Sequence, residues 1–288
     1  MTTHGQAVYR TKAHALEALF GKRQVAIGVI HARPLPGSPQ YDGEDLEEIY
    51  AYSLGEAERY ARGGVDGLIV ENHGDIPFAK PGDIGAETIA TMAVMTDRVR
   101  RHVSLPVGIN VLANGAVPAI AVAAATGGVF VRVNQWANAY VANEGIIEGE
   151  AARATRYRAW LRARSIRIFA DVHVKHGSHA IVGDRSLAEL TRDVEFFDAD
   201  VVIATGQRTG DAAQVDEVSA IRESTQLPLV IGSGVTDDNV GDLLQVADGV
   251  IIGSSLKEDG VWWTPVSEAK VTRFMDKVNR LRNGRTGR

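Results

Sequence analysis

Apolar residues fall along the chain in short, β-branched runs, separated by longer stretches in which they recur at every third or fourth position. The runs are Val25–Ile30, Gly67–Glu71, Val107–Asn110, Phe130–Asn134, Ile168–Val172, Val201–Thr205, Leu229–Gly232 and Val250–Gly253. Each is apolar nearly throughout rather than alternating, the pattern of a strand covered on both faces in a parallel sheet. The intervening stretches read as amphipathic helices. In Asp45–Arg62, for example, Leu46, Ile49, Tyr50, Leu54, Ala57 and Ala61 keep close to the helical period. Further helices are expected over Glu87–His102, Val117–Thr126, Glu148–Arg164, Ser186–Phe197, Ala212–Thr225, Asp237–Val246 and Ser267–Arg282. Gly63-Gly64, Leu105-Pro106, Gly127-Gly128 and Leu227-Pro228 punctuate the returns from helix to strand.

Eight strands, each followed by a helix, predict an α/β protein of one architecture, a single (β/α)8 TIM barrel. The barrel is expected over 25–284, after an N-terminal extension (1–24) with room for a leading helix and before a short basic tail (285–288). The length of 288 residues would also permit two domains, but no linker divides the repeat. The absence of cysteine excludes a disulfide framework, thiolate metal sites and a cysteine nucleophile. A net charge of −5, from 31 basic and 36 acidic side chains, gives no footprint for nucleic acid. No apolar run approaches the ~18 residues of a membrane helix, and Met1–Lys12 lacks a signal-peptide core. The expected setting is therefore cytoplasmic, with no nucleic acid and no integral membrane contact.

In such a barrel the site is built from the C-terminal ends of the strands and the loops after them. The seventh and eighth strands run into Gly232-Ser233-Gly234-Val235-Thr236-Asp237 and Gly253-Ser254-Ser255-Leu256-Lys257. Glycines let backbone N–H groups approach a phosphate closely, and these two loops are a recurrent place for one, so Gly232, Ser233, Gly234, Gly253, Ser254 and Ser255 are the expected phosphate-binding residues. Thr236 or Asp237 would cap the seventh helix. After the sixth strand, Gly206 in Thr205-Gly206-Gln207-Arg208-Thr209-Gly210 either joins that anion site or simply turns the chain, with Arg208 solvated. The loops His73–Ala86 and Gln135–Gly149 are either lids or surface insertions.

Strand periodicity puts Arg132 with Asn134 on one face, and Asp171, His173 and Lys175 on another. Ionisable groups inside a barrel need partners, a ligand or catalytic duty. Asp171 and Lys175 are the first acid/base pair, with Glu71 the second carboxylate. His31, Asn72, Asn110, Arg132, Asn134 and His173 are the expected substrate contacts, the amides suiting hydroxyls and the arginine an anion. His73, His176 and His179 read as solvated loop residues. No cofactor is expected. A divalent ion on His31, Glu71, Asp171 and His173 is allowed by residue type, but no H-x-H or HExxH spacing supports it, so no metal ligand is assigned.

Read together and in order, Gly28–His31 with Pro34–Pro39, Asp66-Gly67 with Glu71-Asn72, Asp171–His176, Thr205-Gly206 with Thr209-Gly210, Gly232–Gly234 and Gly253–Lys257 resemble the BtpA/SgcQ family over about residues 25–275. The resemblance implies a TIM-barrel-like fold related to ribulose-phosphate-binding barrels. It also implies either photosystem I biogenesis, as on the BtpA side, or a role in sugar metabolism, as on the SgcQ side. At Asn110–Gly115 the chain departs from the family pattern of Arg-Asn-Asp after the leucine. Ala113 and Gly115 remove both charges, which puts any contact made there in doubt.

The expected function is an enzyme acting on a phosphorylated sugar or glycosyl phosphate, by acid/base isomerisation, carbon–carbon cleavage or glycosidic cleavage. The alternative is a non-catalytic assembly factor, for which the stripe Val271, Phe274, Met275, Val278 and Leu281, edged by basic residues, could touch a membrane surface or pack as the eighth helix. Trp262-Trp263 would wall the site or meet a second subunit, and a homo-oligomer is expected.

Overall fold

The computed structural model describes residues 13–174, 177–205 and 215–286. In chain order its strands are β1 (Val25–His31), β2 (Gly67–Glu71), β3 (Val107–Asn110), β4 (Phe130–Val133), β5 (Ala139–Ala142), β6 (Gly145–Glu148), β7 (Arg167–His173), β8 (Gly177–Ser178), β9 (Val201–Ala204), β10 (Leu229–Ile231) and β11 (Gly249–Ile252). Eight of them close a parallel barrel in the order β1-β2-β3-β4-β7-β9-β10-β11, and all eight lie on the apolar runs read from the sequence. The helices are α1 (Ala15–Phe20), α2 (Leu46–Gly63), α3 (Ala86–His102), α4 (Ala116–Thr126), α5 (Ala151–Trp160), α6 (Leu187–Phe196), α7 (Val215–Ser224), α8 (Val240–Val246) and α9 (Glu268–Thr286).

Local chemistry sets the ends of these elements. Asp45 accepts the Glu47 N–H at the start of α2, and Ser186 with Glu189 forms a capping box on α6. The helix after β10 starts three residues later than its pattern suggests. Thr236 and Asn239 exchange backbone and side-chain hydrogen bonds (2.8 and 3.4 Å), while Asp237 turns outward to Arg273 at 2.7 Å. Neither Thr236 nor Asp237 is therefore the cap.

Alternate residues of the barrel strands meet on the axis. In the lower layers these are Val25, Ile27, Val29, Ile69, Phe130, Phe169, Val201, Ile203, Val230 and Ile251, with Phe130 stacked on Phe169 at 4.4 Å. Helix α1 closes the bottom, burying Leu16 in this cluster and setting Phe20 edge-on to Phe130. Each such side chain contributes about 1.5–3 kcal/mol by leaving water. Three aspartates that precede strands finish the bottom edge. Asp66, Asp200 and Asp248 accept the first inner N–H groups of the neighbouring strand, from Ala26, Ile168 and Leu229, at 2.7–2.9 Å.

The two long loops have internal order. The one after β4 carries the antiparallel hairpin β5–β6, which β8 joins from the loop after β7. The one after β2 is held by Asn72 and Asp75, whose carboxylate accepts the Leu35 N–H at 2.8 Å. On α9 the stripe Val271, Phe274, Met275 and Val278 is buried in the core shared with α2 and α8. The stripe therefore faces the barrel. No helix among the described residues is long and apolar enough to cross a membrane.

The loop after β11 is fastened from outside by a buried ion pair. Lys257 Nζ meets Glu56 Oε2 of α2 with both side chains fully buried, and the other Glu56 oxygen accepts the Val266 N–H at 2.8 Å. Breaking one side of such a pair leaves an uncompensated charge, at a cost of about 3–5 kcal/mol. Glu56→Gln and Lys257→Met are each expected to lower the unfolding free energy obtained from urea denaturation by that order, with a lower midpoint, and the double variant should recover most of the loss. Single variants with wild-type midpoints would show that the pair does not hold the loop.

Candidate active site

The polar residues at the strand ends share the inner face with the apolar layers beneath them. In the parallel register His31 pairs with Glu71 and Glu71 with Asn110, and residues in register point to the same side. His31 continues the inward series of Val25, Ile27 and Val29, so His31, Glu71 and Asn110 meet above the apolar plug. All three are buried, as are Arg132, Asn134 and Asp171.

Glu71 is the centre of one group. Its Oε2 accepts from Asn110 Nδ2 at 2.6 Å, and its Oε1 accepts from His73 Nδ1 at 2.9 Å, with His31 Nε2 3.8 Å away. Burial opposes the charge of this carboxyl, yet the His73 hydrogen bond and the nearby Arg132 guanidinium hold it well below the usual carboxylate range. Burial, with His73 beside it, pushes the His31 imidazole well below its usual value. His31 donates from Nδ1 to the Trp262 carbonyl at 3.2 Å, which leaves Nε2 as the acceptor nitrogen facing Glu71. The Trp262 ring stands edge-on to His73 at 4.6 Å and covers the pair.

The second group is Arg132 with Asp171. The guanidinium donates through Nε and Nη2 to the two carboxylate oxygens at 3.1 and 3.0 Å, a buried two-pronged pair. Asp171 is thus the fixed counter-charge of Arg132. Among the described residues, Asn110 Oδ1 and Asn134 Oδ1 are buried without a hydrogen-bond partner. His173 lies beside His179 with ring centres 3.8 Å apart, and both line a cavity of about 190 Å3. Burial, then His179, pushes the His173 imidazole down to about 4.

The glycine loops border both groups. A Cβ on Gly253 would lie 2.9 Å from the His31 ring, and one on Gly232 would lie 3.1 Å from Arg132 Nη2 and 2.5 Å from Ile203. Glycine at these strand ends therefore makes room for the two ionic groups. Gly234 adopts φ +69°, and Ser255 Oγ donates to the Val235 carbonyl at 2.7 Å, tying the loop after β11 to the loop after β10. Ser254 and Ser255 lie in the single 3-10 turn Ser254–Leu256.

Of the remaining expected site residues, Asn72 faces away from the axis. Its amide oxygen accepts the Leu112 N–H at 2.7 Å and its nitrogen donates to Asp75 and to the Leu112 carbonyl, joining the loops after β2 and β3. Lys175 and Gly206 lie outside the described residues. His73 joins the site without having been assigned to it, and of the two roles open to the Trp262-Trp263 pair, Trp262 stands at the wall of the site. The signal for His73 was the Glu71-Asn72-His73 spacing, since residues two apart on an extended chain share a face. Trp262 arrives through a loop whose course no periodicity reveals.

Comparison with known proteins agrees with this architecture. The chain is 39% identical over 256 residues to an uncharacterized protein of Pyrococcus abyssi, covering 89% of this chain and 96% of that one. It is 37% identical over 261 residues to the photosystem I biogenesis protein BtpA of Synechocystis, covering 90% of this chain and 89% of that one. Among solved structures it resembles tryptophan synthase of Mycobacterium tuberculosis (TM-score 0.62, 15% identity, 93% and 99% covered). It also resembles thiamine phosphate pyrophosphorylase of Pyrococcus furiosus (TM-score 0.53, 15% identity, 90% and 96% covered), a likeness of fold. Residues 22–280 match the model of the BtpA family, and the chain belongs to that family.

Proposed function

We propose that the protein is an enzyme acting on a small phosphorylated, hydroxyl-bearing molecule, such as a sugar phosphate, by acid–base chemistry at the C-terminal mouth of the barrel. The observation that carries this is the pair of buried amide oxygens without a partner among the described residues, Asn110 Oδ1 and Asn134 Oδ1, on strand ends that also carry Glu71 and the Arg132–Asp171 pair. A buried acceptor without a donor costs about 1–3 kcal/mol, and a substrate hydroxyl supplies the donor. A site whose charged and amide groups are built into the axis suits a polar ligand.

The phosphate would lie against the loops after β10 and β11, at Gly232–Gly234 and Gly253–Ser255, with Arg132 adding charge from within. The direct tie between the two loops supports this placement, as does the fold shared with a thiamine phosphate pyrophosphorylase. Asp171, Glu71 and Lys175 are the groups for proton transfer. His173, neutral at ordinary pH, would contact the substrate as a hydrogen-bonding group. The exposed aromatics Trp160, Phe196 and Phe197 favour a contact with a second copy of the chain.

The second reading, a non-catalytic assembly role, has the name of the Synechocystis relative in its favour. Its sequence support was the basic, apolar α9, whose stripe is buried against the barrel.

Calorimetric titration with a panel of sugar phosphates tests the proposal. At least one member should bind, inorganic phosphate should compete, and Asn110→Ala and Asn134→Ala should each weaken binding about ten-fold, or about 1.4 kcal/mol. A folded protein that binds none of the panel would overturn it in favour of the assembly role.

The pH dependence has a definite sign. A phosphate ester gains its second charge near pH 6. Affinity should therefore fall as the pH drops through about 6, and the same fall should be absent for the matching sulfate ester, which has no second ionisation. His173→Gln should leave the midpoint in place, because that imidazole titrates at about 4. An equal fall for both esters would place the titrating group on the protein and contradict phosphate recognition as described.

A further inference from the structure

We propose that His31, Glu71 and His73 form a binding site for a divalent transition-metal ion of the Zn2+ type, held by two imidazole nitrogens and one carboxylate oxygen. One ligand atom from each residue lies within 4.8 Å of the other two. The distances from Glu71 Oε1 are 2.9 Å to His73 Nδ1 and 3.8 Å to His31 Nε2. Bonds of about 2.0–2.2 Å in a tetrahedral shell set ligand atoms about 3.4 Å apart, midway between these two distances. An ion would displace the His73 proton and draw His31 slightly inward, with no change of backbone.

The groups around the three ligands are those that a metal site needs. A ligating histidine has its other ring nitrogen held by an acceptor, and His31 Nδ1 is held by the Trp262 carbonyl. A ligating carboxylate is itself oriented, and Asn110 holds Glu71 by the oxygen that faces away from the histidines. A network of hydrogen bonds alone accounts for the His73 contact. It does not account for His31, whose Nε2 stands 3.8 Å from the same carboxylate oxygen, beyond hydrogen-bond reach, inside a buried site. A cation between them would bridge that gap. Independently, Asn110 Oδ1 is buried on the same inner face with no partner among the described residues, an acceptor for a water of the shell. The Trp262 ring stands edge-on to both His31 and His73 and covers the cluster from one side.

The inference does not rest on the phosphorylated substrate, because all three ligands come from the chain. It sharpens the role of Glu71: with an ion on Oε1, Glu71 is a ligand and no longer one of the groups for proton transfer. The sequence hides the site because its ligands come from β1, β2 and the first turn beyond β2, so no local motif contains all three.

The test uses the full chain, stripped with a chelator and titrated with CoCl2 alone. One Co2+ per chain is expected, with the visible absorption of histidine-ligated cobalt, displaced by Zn2+. Glu71→Gln and His73→Gln should each weaken binding at least ten-fold, while His102→Gln, on the outer surface, should not. Circular dichroism reports whether the variants fold. In the unaltered protein, the imidazole proton resonances of His31 and His73 should shift and broaden on adding Co2+, while those of His102 stay in place. That readout decides the matter if a variant fails to fold. Binding that is absent, or that leaves the His31 and His73 resonances unmoved, overturns the proposal whether or not any sugar phosphate binds.

Discussion

A charge on the axis of a closed barrel has to be answered by another group on that axis. Every second residue of every strand points there, and hydrogen bonding all the way round leaves no edge through which water can reach it. The chain meets this constraint in two ways. Below, the axis is aliphatic and aromatic, closed by α1 and the stacked Phe130 and Phe169. Above, at His31, Glu71, Asn110, Arg132 and Asp171, it is polar, and each charge has a built-in counterpart. The boundary between these halves is a change of one step along each strand, as from Val29 to His31 or from Ile69 to Glu71.

The two carboxylates are answered differently, and this is what makes the upper layer chemically useful. Asp171 faces a guanidinium that stays charged at any ordinary pH, so the pair is fixed. Glu71 faces two imidazoles and an amide, groups that can gain, lose or exchange protons and accept an ion. The Glu56–Lys257 pair answers a different need. It lies outside the barrel wall and carries no chemistry towards the axis, but it fixes the loop that delivers the Trp262 carbonyl to His31. A site on the axis thus depends on an ion pair between a loop and a helix outside the wall.

The eight barrel strands were legible because burial on both faces leaves little room for polar residues, so each reads as an unbroken apolar run. The hairpin β5–β6 was not, because it rides on the surface. Val141 and Ile146 are exposed there, and the turn residues Asn143 and Glu144 read as ordinary loop. Most of the upper polar layer was legible because Glu71, Asn110, Arg132, Asn134 and Asp171 all stand at or near the ends of apolar runs, and all are buried. What escaped were contacts that loops create. His73 looked solvated because the strand ends at Glu71, although the turn that follows brings its ring back to the Glu71 carboxylate. Asn72 looked like a substrate contact because of the strand end it occupies, but one position of offset turns it outward to Leu112 and Asp75.

The same logic separates carboxylates that look alike in sequence. Asp66, Asp200 and Asp248 lie at strand boundaries, as Glu71 and Asp171 do, and Asp66-Gly67 is as much a part of the family resemblance as Glu71-Asn72. The first three come before their strands, at the bottom of the barrel, where a carboxylate meets exposed N–H groups of the neighbouring strand and becomes a structural acceptor. The others come at or near the end of theirs, where the loops open and inward-facing side chains meet one another. In a parallel barrel the direction of the chain is therefore itself chemical information. An acid ahead of a strand finishes the sheet, and an inward-facing acid at its end is presented to whatever enters the mouth.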